Sequence, residues 1–142
     1  MVTTILENDR VICELDDSVP VLRHKWLQNT KGEDFRNQLV EIQGEYLKLK
    51  DDHPGLKWLA DARELGELTS EDDKWLETEW EKLLFVDAGV KVHAVILADD
   101  IYADYSMEKF KTMANKKYEE EGVSLGVFLI EENAYKFLKE HN

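Results

Sequence analysis

The chain has few of the residues that staple or punctuate small proteins. Cys13 is its single cysteine, so no internal disulfide can form and no second thiol completes a CxxC metal or redox site. Two prolines and seven glycines in 142 residues leave no composition for a flexible or proline-rich linker, and no low-complexity segment occurs. Long apolar runs are missing too: the longest, Ala94 to Ala98 and Leu83 to Val86, fall far short of the roughly 20 residues that span a bilayer. Met1 to Arg10 has neither the basic start nor the apolar stretch of a secretory signal, so a cytoplasmic protein without membrane insertion is expected. Basic residues are scarce, 18 against 31 acidic ones. The resulting net charge of -13 repels phosphate backbones and anionic lipid heads, which excludes a nucleic-acid partner from the expectations.

What is present is core material. Hydrophobic residues make up 43% of the chain, with four Trp, five Tyr and five Phe, enough to pack a core despite 35% charged residues. Chains divide into separate cores only at roughly twice this length, so residues 1–142 read as one domain.

Three short runs open the chain. Thr3 to Leu6 and Arg10 to Leu15, divided by the turn-forming pair Asn8-Asp9, predict a hairpin, and Val21 to Leu27 predicts a third strand. From Glu33 to Lys50 the apolar positions Phe35, Leu39, Ile42, Tyr46 and Leu49 step by four, three, four and three, which puts them on one helical face. Thr30 and Glu33 fit a capping box at its start, and His53-Pro54-Gly55 stops it. Lys57 to Ala62 is a short apolar stretch. Ser70 to Asp87 reads as a second helix with Leu76, Trp80, Leu83 and Leu84 inward, Glu71, Asp72 and Asp73 in its first turn, and Gly89 as its end. Val90 to Ala98 is nearly all apolar, as a strand covered on both faces must be. A third helix is expected over Ser106 to Glu120, a last strand over Val123 to Ile130 and a last helix over Glu132 to His141. The pattern predicts an α/β fold with a mixed, mainly parallel sheet, an N-terminal β-hairpin and about four helices.

Three motifs carry a family resemblance: Trp58-Leu59-Ala60-Asp61-Ala62-Arg63, a strand ending in Asp-x-Arg; Leu68-Thr69-Ser70-Glu71, leading into a Trp-bearing helix; and Gly89-Val90-Lys91-Val92-His93-Ala94-Val95. With the order of elements, they resemble the SpoIIAA-like fold of STAS domains, and most of all the small bacterial single-domain proteins described as STAS/SEC14-like. The resemblance implies a non-enzymatic regulatory or protein-interaction domain. Through the Sec14 relation it implies, alternatively, a binder of a small apolar ligand or lipid. It also implies a regulatory phosphosite at Thr69 or Ser70, since anti-sigma factor antagonists are phosphorylated at the start of the corresponding helix. A plain N-cap at Thr69 or Ser70, with Asp72 or Asp73 three residues on, is the alternative reading of the same residues.

Ligands in parallel α/β sheets collect beyond the carboxyl ends of strands, so Asp61, Arg63, Asp99 and Asp100 form the candidate ligand or ion pocket. Three carboxylates there could hold Mg²⁺ for phosphoryl transfer or hydrolysis; alternatively Asp61 pairs with Arg63 while Asp99-Asp100 starts a turn. His24, His53, His93 and His141 show no metal-binding spacing, no Gly-x-Ser-x-Gly elbow surrounds any serine, and the glycines form neither a P-loop nor a dinucleotide fingerprint. No catalytic set, metal or cofactor is therefore expected. Cys13 lies near Glu14 and Asp16, which raise a thiol pKa. At 100° per residue, Trp75 and Phe85 fall off the inward stripe of the second helix. They either cover the sheet elsewhere or form an interface, which makes a homodimer the expected assembly.

Overall fold

The computed structural model describes residues 2–99 and 122–141. Six strands form one mixed sheet in sequence order: β1 (Val2–Glu7), β2 (Val11–Asp16), β3 (Val21–Trp26), β4 (Lys57–Ala62), β5 (Val92–Leu97) and β6 (Ser124–Phe128). The first three pair antiparallel, and β3 to β6 pair parallel. Asn8 makes the opening turn: its Oδ1 accepts the N–H groups of Arg10 at 2.8 Å and Val11 at 3.0 Å, the local bonding that makes asparagine a turn residue. In β2 the alternation holds, with Val11, Cys13 and Leu15 buried and their neighbours half-buried.

Two helices cover one face of the sheet. Helix α1 (Glu33–Leu49) buries Phe35, Leu39, Ile42 and Tyr46, the periodic face of the sequence. Its start differs from expectation. Gly32 at φ +73° is the N-cap, and Thr30 Oγ1 donates instead to the carbonyl of Gln28 at 3.2 Å. The box is unnecessary because the Gly32 N–H is already taken by Asp72 Oδ2 at 2.8 Å, from the second helix.

That second helix begins as α2 (Ser70–Trp75) and continues π-wound through Leu76–Trp80 and Lys82–Asp87. The winding overturns one expectation. A π turn aligns residues five apart instead of four, so Phe85 follows Trp80 along the inward row. Phe85 is 1% exposed, with its ring 5.9 Å from that of His93. It is core, not interface. Trp75 is half-buried, stacked on Trp80 at 5.6 Å and edge-on to Phe35 at 6.3 Å.

Helix α3 (Glu131–Glu140) covers the opposite face, where Ala134 and Leu138 pack on Val21, Leu59, Val92, Ala94 and Ile96. All six residues of β5 are buried, as its apolar run requires. The helix expected over residues 106–120 lies outside the described residues. Among those described, no helix is long and apolar enough to cross a membrane.

Candidate functional site

The space between the sheet and the α1/π-helix layer contains the most distinctive chemistry of the fold. Strand register places His24 of β3 beside Ala60 of β4, Ala60 beside Val95 of β5, and Trp58 of β4 beside His93 of β5. Side chains at these positions point to the same face. Ala60 and Ala62 carry nothing beyond Cβ, so the middle strand leaves a gap between the large rings around it. The result is a cavity of about 40 Å³. Trp26, Trp58, Trp80 and Phe35 wall it, with Leu39 of α1 and Leu76 of the π segment above. Ring centroids follow one another from Tyr46 to Trp58 at 5.7 Å and from Trp58 to Trp80 at 5.7 Å, and Trp75, stacked on Trp80, links these to Phe35, which lies 5.4 Å from Trp26.

Two imidazoles supply the polarity. His24 is 2% exposed, and burial lowers its pKa to about 4 against a smaller opposing pull from Asp61. For His93, 3% exposed, burial and then His24 itself lower the value to about 3. Both are neutral at pH 7. The His24 ring meets Trp58 at 5.6 Å and Trp26 at 5.8 Å, both edge-on. Its Nδ1 has no hydrogen-bond partner among the described residues. A buried polar atom left so costs about 1–3 kcal/mol. A water needs roughly 10–15 Å³ of such volume, so the cavity takes a molecule of a few heavy atoms and not a lipid tail.

Of the strand-end candidates, the structure joins two. Arg63 Nε and Nη2 donate to Asp61 Oδ1 at 2.9 Å and Oδ2 at 2.6 Å, and the Arg63 backbone N–H reaches Oδ1 at 3.2 Å. Both carboxylate oxygens are thereby engaged, and the Arg63 guanidinium is raised above its ordinary pKa by that bond. The pair lies in a groove of about 230 Å³ on the α3 face, together with Glu14, Arg23, Lys25 and Glu131. Asp99 is exposed beyond β5 and does not line this groove, and Asp100 lies outside the described residues. No group of three or more His, Cys, Asp or Glu side chains among the described residues is placed to hold a metal ion.

Thr69 is the N-cap of α2. Its Oγ1 accepts the Asp72 N–H at 3.0 Å, and Asp72 Oδ2 accepts the Thr69 N–H at 3.3 Å. Ser70 is exposed. Cys13 is buried, and burial, then Glu45 and Glu14, push its pKa up to about 12.

The histidine pair escapes sequence reasoning because nothing in the spacing of His24 and His93 links them; only the parallel pairing of β3, β4 and β5 does. Comparison with protein-family models, curated proteins and solved structures gives no match for this chain.

Proposed function

We propose that this chain is a non-enzymatic binding domain of the STAS/SEC14-like kind that holds a small apolar molecule between its helix layer and its sheet. One observation carries the reading: a cavity walled by three tryptophans and a phenylalanine is lined also by two neutral imidazoles, His24 and His93, and by no charged side chain among the described residues. A default binding site is an apolar pocket with a few convergent polar groups and perturbed pKa values. Support for the family rests on the order of elements, a hairpin leading into parallel strands. The engagement of Asp61 by Arg63 weighs against a Mg²⁺-dependent phosphoryl-transfer or hydrolytic reading, since a hard cation needs free carboxylate oxygens.

The test is thermal unfolding under xenon gas, a single apolar atom that fits a cavity of this size. A ligand that binds only the folded state raises Tm with concentration. A saturable rise, reduced by Ala60→Leu, which fills the gap, is expected. No rise at several atmospheres of xenon overturns the proposal.

Protein contact, with a homodimer as its simplest form, is the second reading. Phe85 no longer supports it, but Leu129 and Ile130 do: they stand adjacent, 55% and 57% exposed, just beyond the edge strand β6. Sedimentation of the wild type and of Ile130→Glu checks it. A dimer lost in the variant supports this reading, and a wild-type monomer removes it.

A further inference from the structure

We propose that a groove of about 400 Å³ at the amino-terminal ends of β4 and β5 binds a phosphate group, free or carried by a small ester, through Lys50, Lys57 and Lys91. The groove shares no lining residue with the tryptophan-walled cavity, so the two sites stand or fall separately.

Acidic residues outnumber basic ones 31 to 18 in this chain, yet the three lysines and His141 line the groove and no carboxylate among the described residues does. Asp51, Asp52 and Asp87 adjoin it in sequence only. The topology assembles the lysines. Parallel pairing sets Trp58 opposite His93, which brings Lys57, the first residue of β4, and Lys91, just before β5, to the same end of the sheet. Lys50 arrives from the end of α1, where its Nζ donates to the Ala88 carbonyl at 3.1 Å. Gly89, at φ +73°, puts no side chain in the way; a Cβ there would lie 3.9 Å from that Nζ. An ammonium has three protons and this bond uses one, so the others are available to an oxyanion.

Lysines near helix ends often serve only the last carbonyls. That accounts for Lys50 on Ala88, whereas Lys57 and Lys91 stand at strand starts. Lys57 is 3% exposed, and burial lowers its pKa from the ordinary lysine value. A dianion in the groove offsets the cost of keeping that ammonium charged. The helices that end here, α1 at Leu49 and the π stretch at Asp87, present their carboxyl termini, whose partial negative charge opposes an anion. The lysines must outweigh it by point charge, which favours a phosphate dianion over a singly charged carboxylate. The net charge of -13 repels long polyanions, but an ion inside the groove feels chiefly the charges within about 8–10 Å.

The experiment titrates inorganic phosphate and glycerol phosphate into the protein at about pH 8 and fixed ionic strength, with sodium chloride as the control, and follows the backbone amide signals of Gly55 and Gly89 by NMR. Thermal unfolding is the poorer readout, because phosphate stabilises folded proteins generally by exclusion from their surface. Saturable shifts are expected with at least one phosphate probe and not with chloride, and the tighter probe names the source of the group. Lys91→Gln, at an exposed position, and Lys50→Gln are each expected to weaken binding about tenfold. Shifts that fail to saturate, or that chloride reproduces, show an adventitious ion only and overturn the proposal. Wild-type affinity in both variants overturns it as well. Should Lys50→Gln fail to fold, Lys91→Gln decides alone.

Discussion

Asp72 Oδ2 accepts the backbone N–H of Gly32 at 2.8 Å, so a carboxylate in the first turn of the second helix caps the first helix as well as its own. Arg36 approaches the other oxygen at 3.5 Å, and the Asp72 side chain is fully buried. One residue thereby fixes the angle between the two helices that roof the cavity. Asp72→Ala is expected to cost about 2–4 kcal/mol, because it orphans two amides and a guanidinium together. Urea denaturation measures this; a cost below about 1 kcal/mol would remove Asp72 from that role.

Thr69 and Ser70 should separate cleanly. Thr69→Ala removes the cap and is expected to cost about 1 kcal/mol. Ser70→Ala and Ser70→Glu, on exposed positions, should stay within about 0.5 kcal/mol. The same urea midpoints decide, and a larger effect at Ser70 would contradict the assignment of Thr69 as the N-cap.

Phe85 fills the core beneath the π segment, so Phe85→Ala is expected to lose about 3–5 kcal/mol. Phe85→Glu should be unfolded by circular dichroism, because it buries an uncompensated charge. A folded, soluble Phe85→Glu would return this residue to the surface.

Stability should fall on mild acidification. His24 and His93 titrate at about 4 and about 3 when folded, against an ordinary value of 6.5. Their folded values are depressed, so the unfolded chain takes up their protons first. The contribution is fully present above pH 6.5 and is lost as pH falls toward the folded values, at up to about 1.4 kcal/mol per pH unit for each histidine. High salt screens the opposite gain from neutralising a chain of net charge -13. Urea midpoints at pH 7, 6 and 5 should decline, less steeply in His24→Leu; a flat profile would contradict the burial of both rings.

Cys13 should resist alkylation in the native state. Its thiol is pushed up to about 12, so thiolate is scarce near neutral pH, and the side chain is buried. Iodoacetamide labelling should keep pace with global unfolding induced by urea. Rapid labelling of the native protein would show an open route to β2.

Much of the scaffold was legible because its signals are local. The spacing of Phe35, Leu39, Ile42 and Tyr46 determines a helix face without help from the rest of the chain. Asn8 bonds its own neighbours, so the hairpin turn is written where it forms. The continuous apolar run of β5 requires cover on both faces and receives it. Asp61 and Arg63, two residues apart, could also be paired from the sequence, as could Thr69 and Asp72 at capping-box spacing.

The remainder depended on distance and winding. Gly32 rather than Thr30 starts α1 because its amide finds Asp72 across 40 positions, which no local capping rule anticipates. Phe85 turned inward because the second helix is π-wound, and the α-helical period assumed in reading it does not hold there. The histidine cavity follows the same logic. Residue types and local periods determined which segments would be strands and helices, since those depend on near neighbours. Only the order and register of β3, β4 and β5 set His24, Ala60 and His93 side by side under one roof, because strand pairing joins residues that the sequence keeps apart.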